Sequence, residues 1–131
     1  MKRVGLVGAG VLGSIHLKYL VKNPDIDLVG VAESSSERVK ELKKDHDIPF
    51  FSTYQELPEL DCVLIVTPTA THYEIASYFI SKGIHTFIEK PVASVLSDAK
   101  KLKQMADKSG SIVQIGHVER FNPVITWVED K

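Results

Sequence analysis

The sequence predicts an α/β fold: a doubly wound, mostly parallel sheet of six strands with helices on both faces. Three observations predict it. Short continuous apolar runs alternate along the chain with longer segments of helical spacing. The first run leads straight into a glycine-rich turn, Gly8-Ala9-Gly10-Val11-Leu12-Gly13, which opens the first helical segment. An acidic residue, Glu33, stands twenty residues after Gly13, where the second run ends.

Each element follows in order. Val4–Val7 is long enough for a strand buried on both faces. Val11–Lys22 has helical spacing, with Leu12, Ile15 and Tyr19 on one face, and Asn23-Pro24 stops it. Leu28–Ala32 is the second strand. Glu37–His46 is a polar helix with Val39 and Leu42 inward and Ser36 as its cap. Pro49–Phe51 is a short third strand. Ser52-Thr53-Tyr54-Gln55 has the spacing of a capping box and opens a brief helix. Cys62–Val66 is the fourth strand. Thr71-His72-Tyr73-Glu74 is a second capping box, and its helix turns Ile75, Ala76, Phe79 and Ile80 inward before Gly83. Ile84–Ile88 is the fifth strand. The helix from about Leu96 to Lys108 carries Leu96, Ala99, Leu102, Met105 and Ala106 as one stripe and ends at Gly110. Ile112–Ile115 is the sixth strand. Asn122-Pro123 caps a last helix, with proline at its first position. Right-handed crossovers between such strands make a Rossmann-like order the natural one.

The chain has 131 residues, one domain in length. Residues 1–120 are expected to form that domain, and 121–131 to begin a helix leading into another. An apolar fraction of 44% and a charged fraction of 25% are ordinary for a globular protein. The net charge of -1 gives no basic surface for nucleic acid. No segment has the length and apolarity of a membrane span, and the N-terminus lacks a signal-peptide pattern. Cys62 is the one cysteine, read as a small buried strand residue; it fits a reducing, cytoplasmic setting. No histidine or acidic cluster has metal-ligand spacing, and His16, His46 and His85 read as ordinary.

The glycine turn carries the first functional expectation. A strand, a G-x-G-x-x-G turn, a helix and an acid after the next strand together describe a dinucleotide site. Gly8 permits the tight turn, Gly10 lets a pyrophosphate approach the backbone, and Gly13 lets helix and sheet pack closely. Ala9, Val11 and Leu12 complete a loop whose N–H groups and helix dipole favour an anion. Glu33 would accept hydrogen bonds from the adenosine ribose and repel a 2′-phosphate. NAD is therefore expected over NADP, with Arg38 one turn further on able to soften the preference.

Ligands of open α/β sheets sit beyond the carboxyl ends of the strands. At those ends stand Thr67-Pro68-Thr69-Ala70-Thr71-His72, Glu89-Lys90-Pro91 and Gly116-His117-Val118-Glu119-Arg120. On these residues and Gly8–Gly13 the chain resembles the nucleotide-binding domain of the glucose–fructose oxidoreductase / inositol dehydrogenase (Gfo/Idh/MocA) family. The Glu-Lys-Pro triplet is the most specific part of the match. The resemblance implies hydride transfer between a nicotinamide cofactor and a sugar or nucleotide sugar. The stretch from Gly116 to Pro123 is similar to members acting on UDP-N-acetylhexosamines or their uronic acids.

By position the resemblance makes Lys90 the active-site lysine, whose ammonium meets the reacting oxygen. It places Thr67, Pro68 and Thr69 beside the cofactor and His72 near its nicotinamide half. Glu89 would pair with Lys90 or bind the nicotinamide ribose, and Pro91 would fix that loop. His117 and Arg120 could reach the substrate side, Arg120 toward a diphosphate or carboxylate. The resemblance also implies a second domain, a mainly antiparallel sheet, supplying most of the substrate pocket, an acid–base histidine and a homo-oligomer interface. No residue of this chain matches that histidine, so the chain by itself is expected to bind NAD(H) without turning over sugar. The competing reading is a non-catalytic NAD-sensing module, against which Lys90 argues.

Overall fold

In the computed structural model, which describes residues 1–131, six strands form one sheet. The elements run β1 (Lys2–Val7), α1 (Val11–Leu20), β2 (Ile26–Ala32), α2 (Ser36–Leu42), β3 (Phe50–Phe51), β4 (Cys62–Ile65), α3 (His72–Ile80), β5 (His85–Ile88), α4 (Leu96–Ser109), β6 (Val113–Ile115) and α5 (Pro123–Glu129). Short 3-10 turns cover Tyr54–Glu56, Thr69–Thr71 and Val118–Phe121. Every neighbouring strand pair is parallel, in the order β3-β2-β1-β4-β5-β6. The order reverses between β1 and β4. There the loops that follow the two strands diverge to opposite faces and leave a crevice.

Alternation along each strand assigns the two faces. Val4 and Leu6 of β1 pack with Leu17 and Leu20 of α1 and Leu42 of α2. Val63 and Ile65 of β4 and Ile88 of β5 pack on the other face, with Ile75, Phe79 and Ile80 of α3 and Leu102 of α4. Burial of each such side chain contributes roughly 1.5–3 kcal/mol, and this is what holds the helices on the sheet.

Five local expectations shift. The face of α1 that meets the sheet carries Gly13, Leu17 and Leu20, while Leu12, Ile15 and Tyr19 are exposed. The helix is apolar around much of its girth, so periodicity alone left its rotation open. The close approach of Gly13 to the β1 loop sets it. Ser35, not Ser36, caps α2, accepting from the Arg38 N–H at 3.2 Å. The capping box after β3 is Thr53 with Glu56, one residue beyond the expected pair; the Thr53 N–H donates to Glu56 at 2.8 Å. Thr71 does not cap α3 with its side chain. Its hydroxyl donates to Pro68 O and lies within hydrogen-bond distance of the Thr67 hydroxyl, and Glu74 instead accepts from the Tyr54 hydroxyl. Leu96 also lies outside the buried stripe of α4, 71% exposed at the helix's first residue. Asn122 and Pro123 act as read, Asn122 Oδ1 accepting from the Val124 N–H. No helix is long and apolar enough to cross a membrane.

Candidate functional site

The crevice at the order reversal has a volume of about 680 Å³. Its walls include Gly8 and Gly10 after β1, Glu33 and Ser34 after β2, and Thr67 and Pro68 after β4. Gly8 takes φ +90°, a conformation that side-chain-bearing residues rarely adopt, and a Cβ there would stand 2.5 Å from Val66 O. A Cβ on Gly13 would stand 2.2 Å from Gly8 O, so the first turn of α1 closes directly on the end of β1. Gly10 differs. A Cβ there would meet no protein atom within 4 Å. The protein itself has no steric need of glycine at that position, and the space above it is open.

The loop is held from below by side chains. The carboxylate of Glu33 accepts the Ala9 N–H at 2.8 Å through Oε2 and the Ser35 N–H at 2.9 Å through Oε1. Arg38 Nε donates to Ala9 O at 2.7 Å. The buried Ala9 peptide is thus tied at both ends, to β2 and to α2. Arg38 Nη1 also pairs with Glu41 at 2.7 Å, so a carboxylate already stands beside the guanidinium. Val11 and Leu12 begin α1 and are exposed.

The loops after β4 and β5 are joined by one residue. His72 is 1% exposed at the start of α3. Its Nε2 lies 2.8 Å from Thr67 O and its Nδ1 lies 2.9 Å from Pro91 O. Both ring nitrogens face backbone carbonyls, and the tautomer decides which of them donates. The ring is therefore an internal strut between the two loops, with no nitrogen left for a ligand. Thr69 lies in the 3-10 turn above it.

Glu89 turns inward. It is 5% exposed, and its Oε1 lies 2.9 Å from Nε2 of His16 on α1. Its Oε2 accepts the Lys90 N–H at 3.2 Å. The Lys90 side chain is exposed, and no carboxylate stands within ion-pair distance of its ammonium. The Lys90–Pro91 peptide is cis. His117 and Arg120 are exposed beyond β6 and are not drawn into a cluster with Lys90 by any hydrogen bond.

Several crevice residues had no site role in the sequence reading: Ser52, Thr53, Tyr54, Gln55 and Ile75, while Thr71 stood in the segment marked after β4. Ser52–Gln55 follow β3 and obey the same strand-end rule that singled out Thr67 and Lys90. His16, read as ordinary, is a partner of the buried Glu89. The spacing carried no sign of that pair, because the two lie on different elements. Cys62 is half-buried in β4, and burial pushes its thiol pKa up, so it is a neutral packing residue.

A parallel six-stranded sheet with this glycine cradle at its switch point narrows the comparison with known proteins. The pattern of the GFO_IDH_MocA family, described as an oxidoreductase family with an NAD-binding Rossmann fold, matches residues 2–117. The chain belongs to this family. UDP-N-acetylglucosamine 3-dehydrogenase of Acidithiobacillus ferrooxidans is 34% identical over 128 residues, 96% of this chain and 40% of that protein. A solved structure of an enzyme of that name and source has a TM-score of 0.88 at 32% identity, covering 98% of this chain and 42% of the other. The NAD(+)-dependent scyllo-inositol 2-dehydrogenase of Bacillus subtilis is 33% identical over 126 residues, 92% of this chain and 37% of that protein. Biliverdin reductase of Synechocystis, solved with biliverdin and NADP+, has a TM-score of 0.90 at 26% identity, covering 98% of this chain and 42% of the other. The chain thus spans about 40% of the length of the first of these relatives. It is similar over its length to the NAD-binding part of oxidoreductases, and these relatives use both NAD and NADP.

Proposed function

We propose that the chain seats NAD(H) in the crevice at the β1/β4 switch point and presents Lys90 to a sugar or nucleotide-sugar hydroxyl or ketone. The observation that carries this reading is the open space over Gly10, where no protein atom demands a glycine. In that seat the N–H groups of the first turn of α1 would face the pyrophosphate, an anion at the positive end of the helix dipole. Thr67 and Pro68 would flank the middle of the cofactor, and Glu33 would meet the adenosine ribose at the rim. The nicotinamide supplies the hydride chemistry when bound.

NAD is proposed over NADP on electrostatic grounds. The Glu33 carboxylate borders the crevice, and the charge of Arg38 is already met by Glu41. Neither arrangement welcomes a 2′-phosphate. Lys90 would hydrogen-bond the reacting oxygen and favour the alkoxide form, and an ammonium without a carboxylate partner is free to do so. His117 and Arg120 would stand on the substrate side, where a guanidinium suits a diphosphate. The nucleotide-sugar class is favoured by the likeness to UDP-N-acetylglucosamine 3-dehydrogenase. A homo-oligomer and a reducing, cytoplasmic setting belong to the same proposal, the first on the family resemblance and the second on the lone thiol.

Fluorescence titration with NADH and NADPH tests the seat. NADH is expected to bind at least tenfold more tightly than NADPH; tighter NADPH binding would overturn the Glu33 argument. Lys90→Ala separates an enzyme from a sensor. In the intact protein that carries the substrate domain, assayed with NAD+ and UDP-N-acetylglucosamine, hydride transfer should collapse while NADH affinity stays within threefold. Turnover that survives the substitution removes Lys90 from the chemistry.

A further inference from the structure

We propose that His16 is a positioning residue for Lys90, acting through the buried carboxylate of Glu89. The inference rests on the reading of Lys90 as the group that meets the reacting oxygen. Glu89 is the residue before Lys90, and its side chain enters a slot between α1, β5 and the residue after β6. A Cβ on Gly116 would stand 2.8 Å from Oε2 and 3.0 Å from both Cδ and Oε1, so the glycine leaves room for the carboxylate where it stands. A carboxylate taken from water is costly unless hydrogen bonds replace those it loses. Here two donors remain. One is the Lys90 N–H itself at 3.2 Å, and the other is His16 Nε2 at 2.9 Å.

The carboxylate therefore links α1 to the main chain of Lys90. Since a carboxylate only accepts, His16 Nε2 carries the proton of that contact. The imidazole is held in turn by the edge of Phe87 on β5, with ring centroids 5.6 Å apart. His16 lies three residues beyond Gly13 on the helix whose first turn borders the crevice. The helix that would seat the cofactor thus also sets the peptide that precedes the Lys90 side chain. On the far side, Pro91 O is tied to His72. Lys90 stands between two anchored neighbours and leaves its own ammonium unpaired. Without His16, Glu89 keeps one weak donor, and the adjacent Lys90 ammonium becomes the cation at hand to neutralise it. The lysine would then be drawn toward Glu89 and lose its unpaired position.

The test compares His16→Ala with His16→Gln, whose side-chain amide places an N–H where the imidazole Nε2 stood. Amide hydrogen exchange by NMR reads the Lys90 N–H, urea denaturation reads global stability, and NADH titration reads the cofactor seat. His16→Ala is expected to speed exchange of the Lys90 amide at least tenfold and to shift its resonance. Amides in β1 and β4 should change less than threefold. His16→Gln should restore Lys90 exchange to within threefold of the native rate. The proposal is overturned if the Lys90 amide does not respond in His16→Ala, if all amides accelerate together, or if glutamine fails to restore it. NADH affinity should stay within threefold in both variants. A native protein that fails to bind NADH counts against the cofactor reading alone, because the amide readout needs no cofactor.

Discussion

Replacing Gly10 by alanine isolates the cofactor seat from the fold. The added Cβ meets nothing within 4 Å, and the native φ of −66° lies outside the left-handed region. Alanine at such a site stabilises by about 0.4–1 kcal/mol, because the unfolded chain loses conformational freedom. For a domain of this size that is an increase in Tm of roughly 1–4 °C. Binding should move the other way. The methyl group occupies the space through which a pyrophosphate reaches the main-chain N–H groups. Loss of one charge-assisted hydrogen bond costs roughly 1.5–3 kcal/mol, or about 10- to 150-fold in Kd for NADH. Gly13→Ala is the contrasting control. Its Cβ falls 2.2 Å from Gly8 O, a backbone atom that cannot yield, and the expected loss is about 3 kcal/mol of stability. Differential scanning fluorimetry and NADH fluorescence titration measure the pair. A Gly10→Ala protein that binds NADH as tightly as the native one refutes the placement of the pyrophosphate. One that loses stability refutes the account of Gly10 as free of protein contact.

Three further outcomes are expected. His72→Ala removes the partner of two carbonyls, Thr67 O and Pro91 O, and should lower stability by about 3 kcal/mol in urea denaturation; a loss below about 1 kcal/mol would mean that water replaces the strut. Glu33→Ala frees the Ala9 N–H and removes the carboxylate from the crevice rim, and should narrow the preference for NADH over NADPH by at least fivefold; an unchanged ratio would take Glu33 out of cofactor choice. Cys62, whose thiol pKa is raised by burial, should react slowly with a disulfide reagent in the folded protein at pH 8 and rapidly in urea. The sign of the linkage follows. The unfolded thiol deprotonates first, so the contribution of Cys62 to stability is present below about pH 8.5 and lost as pH rises above it. Equal reaction rates in the two states would show the thiol to be accessible.

Local sequence determined the parallel sheet, the glycine turn and the acid at the end of β2. Apolar runs and turn residues act over a few positions, and their consequences are short-ranged. The strand-end rule likewise marks Thr67, Pro68, Glu89 and Lys90 from sequence alone. Packing at a distance decided the rest. Which face of α1 turns inward depends on Gly13 meeting Gly8 O, since the helix has apolar residues on more than one side. The partners of buried polar groups were equally hidden. Glu89 finds His16 seventy-three residues away, Arg38 finds the Ala9 carbonyl, and His72 joins two loops that follow different strands. Desolvation forces every buried polar atom to find some partner, but only the folded chain determines which one is within reach.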